Sequence, residues 1–238
     1  MDTSCSNDIA VCDKHGAYRK ILVCGVAMRC PKCTEEYEQE EEKKAKIKKA
    51  DEIIRMAGIP RRFIDRTFAT FCTEEHNKRR ALRAVVEYAE SIPNEGACLI
   101  MCGSVGTGKT HLSCALIQYL AKKGVSAAYT TTYSMIRRIR DTWKNNAIET
   151  EKSAIHAFTS PSVLVIDEVG VQYGTDSEKL IMFDILNSRY ENRKSTVFAS
   201  NFTPDKLRDF FGERISDRLR EDGVIVLNMR WESHRRRT

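Results

Sequence analysis

No apolar run in the 238-residue sequence is long enough to cross a bilayer. The longest uninterrupted stretches, Ala97 to Cys102 and the glycine-containing Ile21 to Met28, fall well short of the roughly 18 to 20 residues a span requires. A secretory leader is not expected either. Asp2, Asp8 and Asp13 precede Ile21 and Arg29-Cys30-Pro31 follow Met28, so neither a basic lead nor a small-residue cleavage site is present. There is no internal repeat, which excludes a repeat architecture, and no low-complexity segment beyond one charged stretch. Full internal disulfide pairing is impossible, because the nine cysteines are odd in number and five of them (Cys5, Cys12, Cys24, Cys30 and Cys33) crowd into the first 33 residues. Cys72, Cys98, Cys102 and Cys114 sit in apolar surroundings, as buried free thiols do. The expectation is a cytoplasmic protein with no membrane association.

With 42% hydrophobic and 30% charged residues, the chain has the composition of a soluble globular protein with one full core and a small appendage, not of a disordered one. A net charge of +6 leans mildly toward polyanions and needs local concentration before it implies nucleic-acid binding.

Three stretches differ in character. Residues 1–34 are cysteine-rich and carry no clear helical period. Residues 35–58 begin as an acidic block (Glu35, Glu36, Glu38, Glu40, Glu41, Glu42) and run into a basic one (Lys43, Lys44, Lys46, Lys48, Lys49). That order suits the helix dipole and gives Glu-to-Lys pairs at spacings of three and four, so a solvated helix to Met56 is expected, stopped by Gly58 and Pro60. It reads as a connector or a partner-binding arm. Residues 59–238 alternate short apolar runs with amphipathic stretches, the pattern of strands and crossover helices. Strands are expected at Ala97 to Cys102, Ser126 to Thr131, Ser162 to Ile166, Thr196 to Ser200 and Val224 to Leu227. Helices are expected at Arg79 to Ile92, Lys109 to Lys123, Tyr133 to Trp143, Ser177 to Arg193 and Pro204 to Arg220. The fold class is α/β, a five-stranded parallel sheet flanked by helices.

The segment Gly103-Ser104-Val105-Gly106-Thr107-Gly108-Lys109-Thr110, with His111 next, matches the phosphate-binding loop pattern in full and stands directly between a strand and a helix. Gly106 and Gly108 let backbone N–H groups curl around phosphate oxygens while the following helix turns its positive end to the same charge. Lys109 is expected to reach the β- and γ-phosphates of ATP, and Thr110 to place its hydroxyl on Mg²⁺. The strand Val163-Leu164-Val165-Ile166 ends in Asp167-Glu168. Asp167 suits the magnesium shell. Glu168, pointing the other way along the pleat, suits a base for the attacking water. Asn201 closes the next apolar strand, within reach of a γ-phosphate or the lytic water. Arg214 and Arg218 lie four apart on one helix face, with Glu213 and Asp217 interleaved. They read either as internal ion pairs or as a cation projected into a neighbouring subunit's site.

Cys12-x-x-His15 and Cys30-x-x-Cys33 form two ligand pairs separated by fourteen residues, the spacing of a tetrahedral structural zinc site. Cys24 and Cys5 are alternatives for one ligand position. Zinc would substitute for a core that so short a segment can hardly build. Arg137, Arg138, Arg140 and Lys144, with Tyr133 and Trp143, combine cations and aromatics as single-strand DNA sites do. Arg230-Trp231 and Arg235 to Arg237 form another basic cluster, read as a flexible end.

Taken together, Gly103 to Thr110, Asp167-Glu168, Asn201 and the Arg214/Arg218 segment resemble an AAA+ ATPase, most closely the DnaC-type helicase loaders and the related IstB transposition helpers, including bacteriophage versions. Gly58-Ile59-Pro60-Arg61-Arg62-Phe63, followed by Thr67-Phe68 and Phe71, is similar to their lead-in, and the resemblance covers about residues 58 to 230. It implies that Asn201 is a sensor residue, that Arg218 is the arginine finger supported by Arg214, and that the basic helix lines a strand-binding pore. It also implies that the amino-terminal arm engages a replicative hexameric helicase and that subunits assemble into an oligomer. Only eleven residues follow Leu227, too few for a helical lid, so slow hydrolysis by the isolated subunit is expected. The expected function is an ATP-dependent helicase loader. The alternatives are a transposition helper on duplex DNA and a nucleotide-gated binding module with little turnover.

Overall fold

The computed structural model describes residues 3–23, 26–92, 96–170, 175–221 and 223–233, without the side chains of residues 3–7 and 21–23. The chain divides into two compact units, Met1–Lys48 and Lys49–Thr238, and the division falls inside a helix.

In the first unit, strands β1 (Thr3–Cys12) and β2 (Gly16–Val23) form an antiparallel hairpin and a short β3 (Val26–Ala27) pairs with β2. Gly16 opens β2 at φ +75°, a conformation that suits the tight reversal after Cys12. Helix α1 (Pro31–Met56) follows, so the charged stretch is helical from four residues before Glu35 and carries Cys33 in its first turn. Only Ala50 of its residues is buried, while Glu40 and Lys44, and Glu42 and Lys46, pair along its exposed surface.

The second unit is a five-stranded parallel sheet between two helical layers. Its strands are β4 (Cys98–Gly103), β5 (Ala127–Thr131), β6 (Val163–Val169), β7 (Ser195–Ser200) and β8 (Val224–Met229), in the spatial order β5-β6-β7-β4-β8. All four neighbouring pairs are parallel, so every strand delivers its carboxyl end to the same edge. Alternate residues enter separate cores. Leu99, Met101, Val163, Val165, Val197 and Ala199 pack under α2 (His76–Ser91) and α3 (Lys109–Lys122). Ile100, Cys102, Leu164, Ile166 and Phe198 pack on the other face under α4 (Thr132–Asp141), α5 (Glu151–Thr159), α6 (Asp176–Glu191) and α7 (Pro204–Glu221). Burial on both faces explains the unbroken apolar character of these strands.

Two features differ from expectation. Helix α5 is an addition, anchored by the Thr150 hydroxyl accepting from the Ser153 amide and by buried Ala154 and Phe158. Helix α7 is broken at Gly212, whose φ of 72° and ψ of 171° interrupt it between Phe211 and Glu213. No helix among the described residues is long and apolar enough to cross a membrane.

Arg189, near the end of α6, is 1% exposed, and the acceptors around it are carbonyls and one hydroxyl. Its guanidinium donates to the carbonyls of Phe158, Pro161, Ser162 and Ser195 and to the Thr196 hydroxyl, tying the segments that lead into β6 and β7. Burial lowers its pKa to about 10, which still leaves it charged at neutral pH. Arg189→Met removes all of these donors from a buried site, and a loss of roughly 3 kcal/mol or more is expected, read as a lower urea midpoint.

Candidate functional site

The phosphate-loop pattern occupies the turn from β4 into α3. Gly106 and Gly108 adopt φ values of +82° and +95°, the left-handed region that frees successive amides to face one concavity. α3 begins at Lys109, so its amino end opens at the same place. The Lys109 ammonium, buried, donates to the carbonyls of Gly103 (2.7 Å) and Ser104 (2.9 Å), which holds it at the loop.

Asp167, 3% exposed, gathers three donors. The Thr110 hydroxyl donates to its Oδ2 at 2.7 Å, the Tyr129 hydroxyl to the same oxygen at 2.8 Å, and the Glu168 amide to Oδ1 at 2.8 Å. Burial, and then the Asp167 charge, push the Tyr129 phenol far above its ordinary pKa, so it remains a donor. A hydroxyl and a carboxylate in direct contact are hard oxygen ligands of the kind Mg²⁺ takes, and Thr110 and Asp167 can hold that ion. Glu168 sits at φ +57°, rare for a residue with a side chain, and is exposed where Asp167 is buried. At the end of β7, the buried Ser200 hydroxyl donates to the Val169 carbonyl and accepts from the Phe202 amide, fixing the turn that carries Asn201.

Val105, Gly106, Gly108, Lys109, Thr110, His111, Asp167, Glu168 and Asn201 line one cleft of about 420 Å³. Five further residues line the cleft without a motif to mark them: Arg62, Phe63 and Arg66 from the lead-in before α2, and Ala199 and Ser200 at the end of β7. The lead-in is pinned beside the loop by side chains of α3. Gln118 donates to the carbonyls of Ile64 and Arg66, both at 2.8 Å, and His111 Nε2 donates to the Thr67 carbonyl at 2.9 Å. Phe71 stacks edge-on against His111 at 5.3 Å, so close to Gly108 that a Cβ there would meet its ring at 2.7 Å. The signal available in the sequence was the pair of arginines four apart beside the expected site.

Trp231 corrects the expectation of a flexible end. Its ring packs against the α2/α3 core, its indole N–H donates to the Thr107 carbonyl at 3.1 Å, and Ser233 lies against Gly106. Arg235 to Arg237 lie outside the described residues.

Arg214 and Arg218 do not line the cleft. Arg218 stacks over the rings of Phe183 (5.5 Å) and Tyr190 (5.3 Å), and Arg214 over Phe183 (5.5 Å). In the basic segment each cation has a carboxylate neighbour. Arg138 grips Glu149 with two hydrogen bonds, Arg140 lies 3.2 Å from Glu178, and Arg137 and Lys144 share Asp141. Tyr133 and Trp143 are exposed.

In the first unit, Cys12 at the end of β1, His15 in the hairpin turn, Cys30 before α1 and Cys33 in its first turn bring one sulfur or nitrogen each within 4.8 Å of one another. The Cys12–Cys33 sulfurs are 3.5 Å apart, and His15 Nδ1 lies 3.3 to 3.8 Å from the three sulfurs. A tetrahedral zinc site with three thiolates and one imidazole has edges of about 3.6 to 3.8 Å, so these four groups fit that ion. Backbone N–H groups of Lys14 and His15 aimed at the Cys12 sulfur lower its pKa to about 6, while its hydrogen bond to Cys12 and burial raise Cys33 to about 11. Cys24 and the Cys5 side chain, the alternatives for one position, lie outside the described residues.

With the geometry in place, comparison with known proteins adds relationship. Residues 32–238 match the family model of IstB-like ATP binding proteins. The chain is 30% identical over 190 residues to the replicative helicase loader DnaC of Buchnera aphidicola subsp. Schizaphis graminum, covering 80% of this chain and 77% of the relative. The crystal structure of a DnaC helicase loader superposes with a TM-score of 0.64 at 24% identity, over 72% of this chain and all of that one. The replication initiator DnaA bound to AMPPCP and single-stranded DNA superposes at 0.59 with 25% identity, over 71% of this chain and 51% of that one.

Gly108→Ala forces a left-handed conformation on a residue with a side chain, at a cost of about 1–2 kcal/mol. A fall in thermal midpoint of roughly 3–6 °C without nucleotide is the expected result.

Proposed function

This chain belongs to the IstB-like ATP-binding family, in its DnaC-type AAA+ branch, and on that premise we propose that it is an ATP-dependent loader of a replicative hexameric DNA helicase. One observation carries the reading: Lys109, Thr110, Asp167, Glu168 and Asn201, drawn from the carboxyl ends of three adjacent strands, face one cleft. In this proposal Lys109 and the loop amides bind the ATP phosphates, and Thr110 and Asp167 hold the Mg²⁺ that offsets their charge. Glu168 takes the proton of the attacking water and Asn201 orients that water. Ser104, Val105, Thr107 and His111 belong to the same nucleotide-binding turn. Arg218, supported by Arg214, completes the site of a neighbouring subunit in an oligomer assembled on the helicase. Their absence from the lining of the chain's own cleft supports action in trans.

Residues 1–34 form the helicase-recognition arm, held by zinc on Cys12, His15, Cys30 and Cys33. Exposed Ile9, Val11 and Val26 on the hairpin support a recognition role, since a solitary unit gains nothing by exposing them. Residues 35–58 connect the arm to the ATPase domain, residues 59–238. Single-stranded DNA is gripped by Arg137, Arg138, Arg140, Trp143 and Lys144; the exposed pairs of Arg137 and Lys144 with Asp141 are weak enough to exchange carboxylate for phosphate. Hydrolysis then triggers release.

Glu168→Gln separates binding from turnover. ATP affinity is expected to persist while phosphate release falls about 10²-fold or more. Wild-type hydrolysis should rise at least about tenfold when the helicase and single-stranded DNA are both present, because the site is finished by partners. Absence of that rise, or copurification with a transposase in place of a hexameric helicase, would move the assignment to a transposition helper. Unchanged function in the Glu168→Gln chain would point to a binding module without turnover. Separately, changing Cys30 and Cys33 together to serine should release about one zinc per chain, measured by metal analysis.

A further inference from the structure

His15 has two ring nitrogens, and only one of them faces the cysteines. Nδ1 lies among the three sulfurs, while Nε2 is 3.1 Å from Oε1 of Glu36. The other Glu36 oxygen, Oε2, accepts from the Lys14 ammonium at 2.6 Å. Helix geometry explains the placement. Glu36 follows Cys33 by three residues in α1, so both side chains leave the same helix face, one toward the sulfurs and one toward the back of the imidazole. Lys14 comes from the hairpin turn that also carries His15, and the His15 side chain is largely covered while Glu36 and Lys14 remain half-exposed or more. A carboxylate can only accept from the ring, so this contact fixes the proton on Nε2 and leaves the Nδ1 lone pair directed at the cysteines.

We propose that Glu36 is the positioning residue of this cluster: it sets the tautomer and ring orientation of His15 so that Nδ1 is the zinc ligand, and Lys14 in turn holds Glu36. The inference rests on the zinc reading above and adds to it a residue outside the four ligands. It separates Glu36 from Glu40, Glu41 and Glu42, which pair with lysines of the same helix. A hydrogen bond of this kind behind a ligating imidazole is generally worth 10- to 100-fold in metal affinity.

The test uses the full chain purified with zinc. Zinc affinity is measured by competition with a chromophoric chelator, and the His15 tautomer by long-range proton–nitrogen correlation spectra. The wild type should show Nδ1 ligated and Nε2 protonated. Glu36→Ala should weaken zinc about 10- to 100-fold without loss of helicity. Glu36→Gln, whose amide oxygen still accepts, should recover most of that loss, and Lys14→Ala should have a smaller effect than Glu36→Ala. Glu38→Ala, two residues along the same helix, should leave affinity unchanged, which excludes a general charge effect. Unchanged affinity in Glu36→Ala, equal weakening in Glu38→Ala, or ligation through Nε2 would overturn the inference while leaving zinc binding intact. A wild-type chain that holds no zinc would overturn the zinc reading itself and the inference with it.

Discussion

The cleft at the carboxyl ends of the strands depends on the carboxylate of Asp167. Buried beside the sheet, it is held by a hydroxyl from α3, a phenol from β5 and the amide of its own neighbour on β6, so three elements converge on two oxygens. A buried carboxylate without such donors would be expelled or protonated. Three donors hold its two oxygens in place at the carboxyl end of β6. The Glu168 amide that donates to Asp167 belongs to a residue in the left-handed region, and there the Glu168 side chain is exposed while Asp167 stays inside.

Parallel strand order supplies the remaining constraint. With β4 between β7 and β8, and β6 beside β7, the ends bearing the glycine loop, the acid pair and Asn201 are near neighbours although up to about a hundred residues separate them in sequence. The same order places polar chemistry at one edge only, because alternate residues of every inner strand are committed to the two cores.

Much of this was legible beforehand. Leu99 to Cys102 and Val163 to Ile166 announce strands buried on both faces by unbroken apolarity, and the loop between Gly103 and Thr110 has few alternative uses for glycines at that spacing. What escaped has physical reasons. Helix α5 buries only Ala154 and Phe158 of nine residues, too few for a visible period. The β1–β2 hairpin draws on Ser, Asn and Asp, residues that propensity assigns to turns, and its Cys12 and His15 join Cys30 and Cys33 in a side-chain cluster. The break in α7 rests on a single Gly212 inside an otherwise helical pattern. The Arg62 and Arg66 contribution to the cleft depends on Gln118 binding carbonyls more than fifty residues away, which no local pattern encodes. The pairing of Arg138 with Glu149 and Arg140 with Glu178 was equally invisible, since it requires the fold to bring α4 against distant acids.

Trp231 ties the exit of the last strand to the phosphate loop through the Thr107 carbonyl, with its ring embedded in the core. A change in the curl of the loop would therefore break that bond or carry the segment behind β8 along with it.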